Sequence, residues 1–307
     1  MDFFSFTTPL WILLGFAASL FNTAIPLIQE KFKGDGFAVA VWVKIAVVVI
    51  SLPIVLYMGM PTDTGFYILT ATSAIIWCIN DIIYFRTIPI VGAGVVSRIL
   101  PASVILAFVV WFFFDPVLLD KYLEHPLQAI AICAIVLLSV IFAIMMKSCP
   151  ITLKGMKLIW FVVLAAAIGP LIDKLALNIA VDDGTTTSAG QAPFAFMFTQ
   201  GLIMLILWTS YSLIKKPITK QIFLAKESVK AGLSIGVVAT IKLGLKFQAL
   251  VYCEHPALLS VILFTDAIWI ILYYRLTGKQ DHSKIWAGLG LVGCAAALVL
   301  VKSYQTS

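Results

Sequence analysis

The sequence predicts an all-α polytopic membrane protein with ten transmembrane helices in two inverted five-helix repeats. Three observations carry that expectation. The 307 residues are 62% hydrophobic and only 12% charged, with a mean hydropathy of +1.05; a soluble domain carries about twice that share of charge. The apolar residues fall in long runs that match the roughly 17–25 residues a helix needs to cross a bilayer. The bases are spread over the short segments between those runs, the layout of a multi-pass membrane protein. A water-soluble enzyme, a disordered chain and a nucleic-acid-binding module are all excluded by this composition. The net charge of +6 does not restore the last of these, because no basic patch gathers it.

The spans follow in order. The first covers residues 9–28. The segment before it, Met1 to Thr8, has no Lys or Arg, so it lacks the positive start of a signal peptide and the helix is expected to be retained. The second, 37–58, carries Lys44 and Pro53, and the third, 66–85, carries Asp81. The fourth, 89–114, holds Arg98 and Pro101. The fifth, 127–146, has no charge inside. The sixth, 158–181, contains Pro170, Asp173 and Lys174. The seventh, 193–214, is uncharged, and the eighth, 231–252, carries Lys242 and Lys246. The ninth, 257–276, holds Asp266, and the tenth, 285–301, is glycine-rich. No intervening segment is long enough for a soluble domain. The runs are also too long and uniform for the period-two alternation of a transmembrane β-barrel.

Charge between the spans sets an expected orientation. Fourteen of the 21 Lys and Arg residues lie in the odd-numbered loops, among them the five lysines from Lys215 to Lys230, against Lys121 and Lys302 on the other side. The positive-inside rule then puts the odd loops in the cytoplasm and both termini outside. A bacterial inner (plasma) membrane is the expected setting. The five cysteines are odd in number and form no CxxC, so they read as small core residues.

The two halves, 1–148 and 149–307, resemble each other in order. Pro26-Leu27-Ile28 in the first span has Pro170-Leu171-Ile172 in the sixth; Phe37-Ala38 opens the second as Phe194-Ala195 opens the seventh. Glu124-His125 precedes the fifth as Asp281-His282 precedes the tenth. Five helices is an odd number, so the second half enters from the opposite face and the repeat is inverted, an architecture of many secondary transporters.

With these features the chain resembles the drug/metabolite transporter superfamily, in its ten-helix EamA-like branch. The resemblance is carried by Asp173-Lys174 after Pro170, by Ser97-Arg98-Ile99-Leu100-Pro101, by His255-Pro256 through Leu259-Ser260 to Gly278, and by Gly288-Leu289-Gly290-Leu291-Val292-Gly293. It spans the whole chain. Where the family often has a Gly-Glu pair, this sequence has Gly278-Lys279-Gln280. The resemblance implies a carrier whose fifth and tenth helices lie at the periphery.

Eight ionisable residues stand inside the spans: Lys44, Asp81, Arg98, Asp173, Lys174, Lys242, Lys246 and Asp266. Each costs about 2.5–3.5 kcal/mol or more at mid-bilayer, so each is expected to face a partner or a watery cavity. At about 1.5 Å per residue, Arg98 and Asp266 lie about 14 Å into their spans and Lys242 about 16 Å. These three mark a substrate path, with Lys246, Asp81 and Lys44 nearer its faces. Five bases against three acids favour an anionic or zwitterionic solute, held by Arg98 and Lys242. Asp266 or Asp81 is the candidate for proton exchange. Lys242 and Asp266 read equally as a structural pair. Asp173, Lys174, Pro101 and Pro170 read as structural or gating groups, with Lys174 reaching outward and Pro101 as a hinge.

The aromatic residues near span ends, Trp111 to Phe114 and Tyr273-Tyr274, read as an interfacial belt; Trp42, Trp77 and Trp269 lie deeper and read as packing or lipid-facing groups, with cavity lining as the alternative. Gly232 and Gly236 read as a close helix contact within the monomer, in preference to a homodimer seam. His125, His255 and His282 form no HExxH, and there is no GxSxG, Walker A or GxGxxG. No enzyme, cofactor or metal site is therefore expected. The expected function is secondary transport of a small polar metabolite, an amino acid or organic acid, with a proton or counter-substrate as coupling partner. The alternatives are exchange of a nucleotide sugar or phosphorylated sugar, and a non-transporting membrane enzyme or structural protein.

Overall fold

The computed structural model describes residues 10–91, 102–145, 153–182, 190–215, 217–278 and 285–303. All regular structure among them is helical. In chain order the helices are α1 (Leu10–Phe32), α2 (Gly36–Met58), α3 (Thr64–Val91), α4 (Ala102–Phe114), α5 (Pro116–Glu124), α6 (Pro126–Met145), α7 (Leu153–Asp182), α8 (Ala192–Lys215), α9 (Lys220–Phe223), α10 (Lys226–Tyr252), α11 (Pro256–Leu263), α12 (Asp266–Leu276) and α13 (Ile285–Ser303).

Among the described residues, seven stretches are long and apolar enough to cross a membrane: α1, α2, Thr64–Ile88, Trp160–Asp182, α8, α10 and Pro256–Leu276. The chain is therefore an integral multi-pass membrane protein. α4 and α5 meet at a bend of 104° and make an eighth span if the pair counts as one. Pro126–Phe142 and Trp286–Leu298 are shorter apolar helices. Exposed Leu13, Val49, Leu56, Ile68, Ile206 and Leu289 form the apolar outer surface that lipid covers in place of water.

Three boundaries differ from the sequence expectation. The third helix runs past Arg86 and Pro89 to Val91, although proline removes an N–H from the helical ladder. The carbonyl freed by Pro89 is that of Phe85, and the buried Gln29 amide donates to it at 3.3 Å. The segment expected as a loop after Phe114 restarts as α5. Asp115 caps it by accepting from the Leu118 N–H at 3.0 Å, with proline at the first turn. The ninth span is broken between α11 and α12, at Phe264-Thr265. The expected junction of the halves at 148/149 lies outside the described residues.

α10 forms the centre. It packs along both α1 and α2. A Cβ on Gly232 would collide with the Trp42 side chain, and one on Gly236 with Ala46 and the Val43 carbonyl, so both glycines serve packing within the monomer. α3 packs along α7 and α8, α2 along α8, α4 along α7 and α11, α1 along α11 and α12, and α6 along α13.

Candidate functional site

One cavity of about 230 Å³ opens among α1, α2, α3, α4, α7, α8, α10, α11 and α12. Helices α6 and α13 contribute nothing to its described wall. Lys44, Asp81, Asp173, Lys242, Lys246 and Asp266 all line it. Six of the eight intramembrane charges named from the sequence thus converge on a single space. Arg98 and Pro101 lie outside the described residues.

The charges are organised in pairs. Lys44 on α2 meets Asp81 on α3 at 3.4 Å, and Lys246 on α10 meets Asp173 on α7 at 3.6 Å. Each of these pairs lies within one half of the chain. Asn80 also donates to Asp81 at 3.1 Å. Asp173 is further held by the Ser73 hydroxyl at 2.5 Å and the Trp77 indole N–H at 3.3 Å, and the Gln200 amide donates to Ser73 at 2.8 Å. The Lys246 ammonium stands 5.3 Å from the centre of the Trp77 ring, within cation–π range. Lys242 makes no hydrogen bond or ion pair among the described residues.

The break in the ninth span positions Asp266. It is the first residue of α12, directly after the two-residue turn Phe264-Thr265, whose backbone stays right-handed helical. α1 clamps the break with a polar stripe. Asn22 donates to the Asp266 carboxylate at 2.6 Å, and the Thr23 hydroxyl to the Asp266 carbonyl at 3.1 Å. Ser19 accepts from Thr265 at 2.9 Å and from the Trp269 indole at 3.1 Å. These bonds satisfy polar groups at the broken span, as a helix interruption in lipid requires.

Asp173 is fully buried on the cavity wall, and Pro170 lines the same wall. The expectation for the neighbouring lysine is corrected. Lys174 does not reach outward: it is only 6% exposed and donates to the Leu250 carbonyl at 3.0 Å. Leu250 lies in the last turn of α10, where carbonyls lack helical partners and a cation is favoured. Lys174 lines a separate cavity of about 280 Å³ with Asp115, Lys121, Asn178 and Glu254. The central cavity carries three lysines and three aspartates among the described residues; of the five bases counted in the sequence, Lys174 lines the separate cavity and Arg98 lies outside the described residues.

Trp77 lines the cavity instead of facing lipid. Trp111 is 2% exposed, so it leaves the expected interfacial belt, whereas Phe113, 81% exposed, stays on the surface. Trp111 packs near His255, which stacks on Phe108 with ring centres 4.6 Å apart. Cys133 is exposed, while Cys78, Cys253 and Cys294 are buried.

The charge-based reading missed Ser19, Asn22, Thr23, Ser73, Asn80 and Gln200. Their signal was periodicity. Ser19, Asn22 and Thr23 are spaced three and four apart, and Ser73, Trp77, Asp81 and Tyr84 recur every three or four residues, so each set shares a helix face. No family model matches this chain, and no curated protein matches it in sequence.

Proposed function

We propose that this chain is a secondary transporter that moves a small polar metabolite by alternating access, with the resemblance to the ten-helix EamA-like branch of the drug/metabolite transporter superfamily as supporting context. One observation carries the reading: six ionisable side chains from five helices line one small cavity inside an otherwise apolar helical bundle. Buried charge at this cost is retained for solutes, ions or protons that cross.

The packing supports the inverted repeat. Exchanging each span for the one five later turns the α1–α10 contact into α7–α3, and α2–α10 into α8–α3. It turns α4–α7 into α11–α1 and leaves α2–α8, α4–α11 and α6–α13 in place. With five spans per half, that two-fold relation is an inverted one. The lysine bias of the odd loops supports termini on the outside, with a bacterial inner membrane as the proposed setting.

Among the described residues the cavity holds three lysines and three aspartates, a balance that favours a zwitterion, so an amino acid is the first choice and another organic acid the second. Lys242, without an ion pair among the described residues, is the anchor for the solute carboxylate. A phosphorylated or nucleotide-linked sugar fits less well, because the cavity of about 230 Å³ lies below the roughly 300–1,000 Å³ of drug-sized sites. The test is counterflow of pooled labelled metabolites in proteoliposomes, with and without a pH gradient. Saturable exchange of a small zwitterion or carboxylate is expected; exchange of none of them would refute the transporter.

A further inference from the structure

Asp173 differs from the other two cavity carboxylates. It is 0% exposed. Its Oδ1 is taken by the Ser73 hydroxyl and the Trp77 indole. Its Oδ2 is buried and accepts no hydrogen bond, while the Lys246 ammonium waits 3.6 Å away, beyond normal hydrogen-bond length. A buried acceptor left empty beside a cavity calls for an explanation. Asp81, by contrast, accepts from Asn80 and its side chain is 17% exposed. The Asp266 Oδ2 is occupied by the Asn22 amide.

From this geometry we infer that Asp173 is the site of the coupling proton in the transport cycle, and that Lys246 is the cation its protonation releases to the solute. The inference rests on the transport reading above and adds the coupling ion. In the step itself a hydronium ion in the cavity gives its proton to Oδ2: one O–H bond of the hydronium breaks, the Oδ2–H bond forms, and a neutral water is left. The carboxylate becomes a neutral acid, and Lys246 keeps its proton. Its charge then faces the cavity, where a solute carboxylate replaces Asp173 as its partner. Proton and solute so share the cavity and leave together, and Asp173 regains its charge and its pair with Lys246.

A metal cation fits the position poorly. Hard cations take six or more oxygens, whereas here Ser73 is committed to Asp173 and Gln200 and an ammonium stands alongside. Among the described residues, the titratable groups turned toward this cavity from the packed elements are Lys44 on α2, Asp81 and Tyr84 on α3, Lys242 and Lys246 on α10, and Asp266 on α12. α8 presents the neutral Gln200, and α4 the neutral Ser103. Pro170, one turn before Asp173 on the same wall, leaves the Ala166 carbonyl without its helical N–H and gives α7 a point to flex.

Infrared difference spectra of the protein in lipid nanodiscs, taken between acid and alkaline pH, test the site directly. A carboxylic-acid band is expected that vanishes in Asp173→Asn and persists in Asp81→Asn and Asp266→Asn. A band that survives Asp173→Asn overturns the inference. If Asp173→Asn does not fold, Ser73→Ala and Trp77→Phe remove only neighbours of Oδ1, and the band must change frequency in both; an unchanged band also overturns it. In proteoliposomes supplied with labelled common amino acids, the intact protein should accumulate solute under a pH gradient and Asp173→Asn should not. Accumulation driven by sodium instead would refute proton coupling. No exchange by the intact protein would refute the transport reading alone, while the infrared band still decides whether Asp173 binds the proton.

Discussion

Asn22 on α1 donates to the carboxylate of Asp266 across 2.6 Å, and so ties the first span to the point where the ninth is broken. The two residues are 244 apart in sequence. The bond donates an amide N–H to a carboxylate inside the membrane and links two parts of the cavity wall.

Asn22→Ala should therefore loosen the wall more than it unfolds the protein. Interhelical hydrogen bonds in membranes average about 0.6 kcal/mol and reach about 1.7, so a loss on the order of 1 kcal/mol is expected. Asn22→Asp, which places a second carboxylate against Asp266, should cost clearly more. Thermal unfolding in detergent measures both, and an Asn22→Asp protein as stable as Asn22→Ala would contradict the contact.

Lys242 and Lys246 should respond differently. Lys242 has no ion pair among the described residues, whereas Lys246 holds Asp173. Lys242→Gln should leave stability almost unchanged and raise KM by roughly 10–150-fold, the worth of a charged hydrogen bond of about 1.5–3 kcal/mol. Lys246→Gln should lower stability as well, because it strands a buried carboxylate. Transport kinetics and melting temperatures on the same preparations separate the two outcomes.

For the Lys44–Asp81 pair, either single neutral variant should destabilise more than the double variant Lys44→Met with Asp81→Asn. Breaking one partner of a buried pair costs about 3–5 kcal/mol, while removing both is near neutral. The side chains are 8% and 17% exposed, so solvent screening brings the expected single-variant cost toward the low end or below it. A double-mutant cycle on unfolding free energies would show no coupling if the pair contributes nothing.

Two helix glycines predict opposite tolerance. A Cβ on Gly236 meets Ala46 and the Val43 carbonyl, whereas one on Gly293 meets nothing within 4 Å. Gly236→Ala should cost about 1–3 kcal/mol through overpacking, and Gly293→Ala should be neutral or slightly stabilising. Equal melting temperatures for the two variants would argue against the close α2–α10 approach.

Much of the architecture was legible in the chain. Run length and loop charge reveal the multi-pass class, because bilayer thickness sets helix length and backbone groups in lipid must bond within the helix. The high cost of burying charge also makes Lys44, Asp81, Lys242, Lys246 and Asp266 stand out as cavity residues. Less legible were Ser19, Asn22, Thr23 and Gln200, whose polarity is mild enough to pass as ordinary helix composition. The bend at Asp115 was hidden because a capped short helix and a loop look alike at that length.

Hydrophobicity and spacing thus determined that the chain crosses the membrane repeatedly and which spans carry charge. Only the tertiary structure decided where those charges point. Asp173 and Lys174 are neighbours in sequence, yet one turns into the central cavity and the other toward the end of α10, because successive residues on a helix are about 100° apart. Which of the two meets water, lipid or a partner depends on the helices packed around α7, and those come from distant parts of the chain.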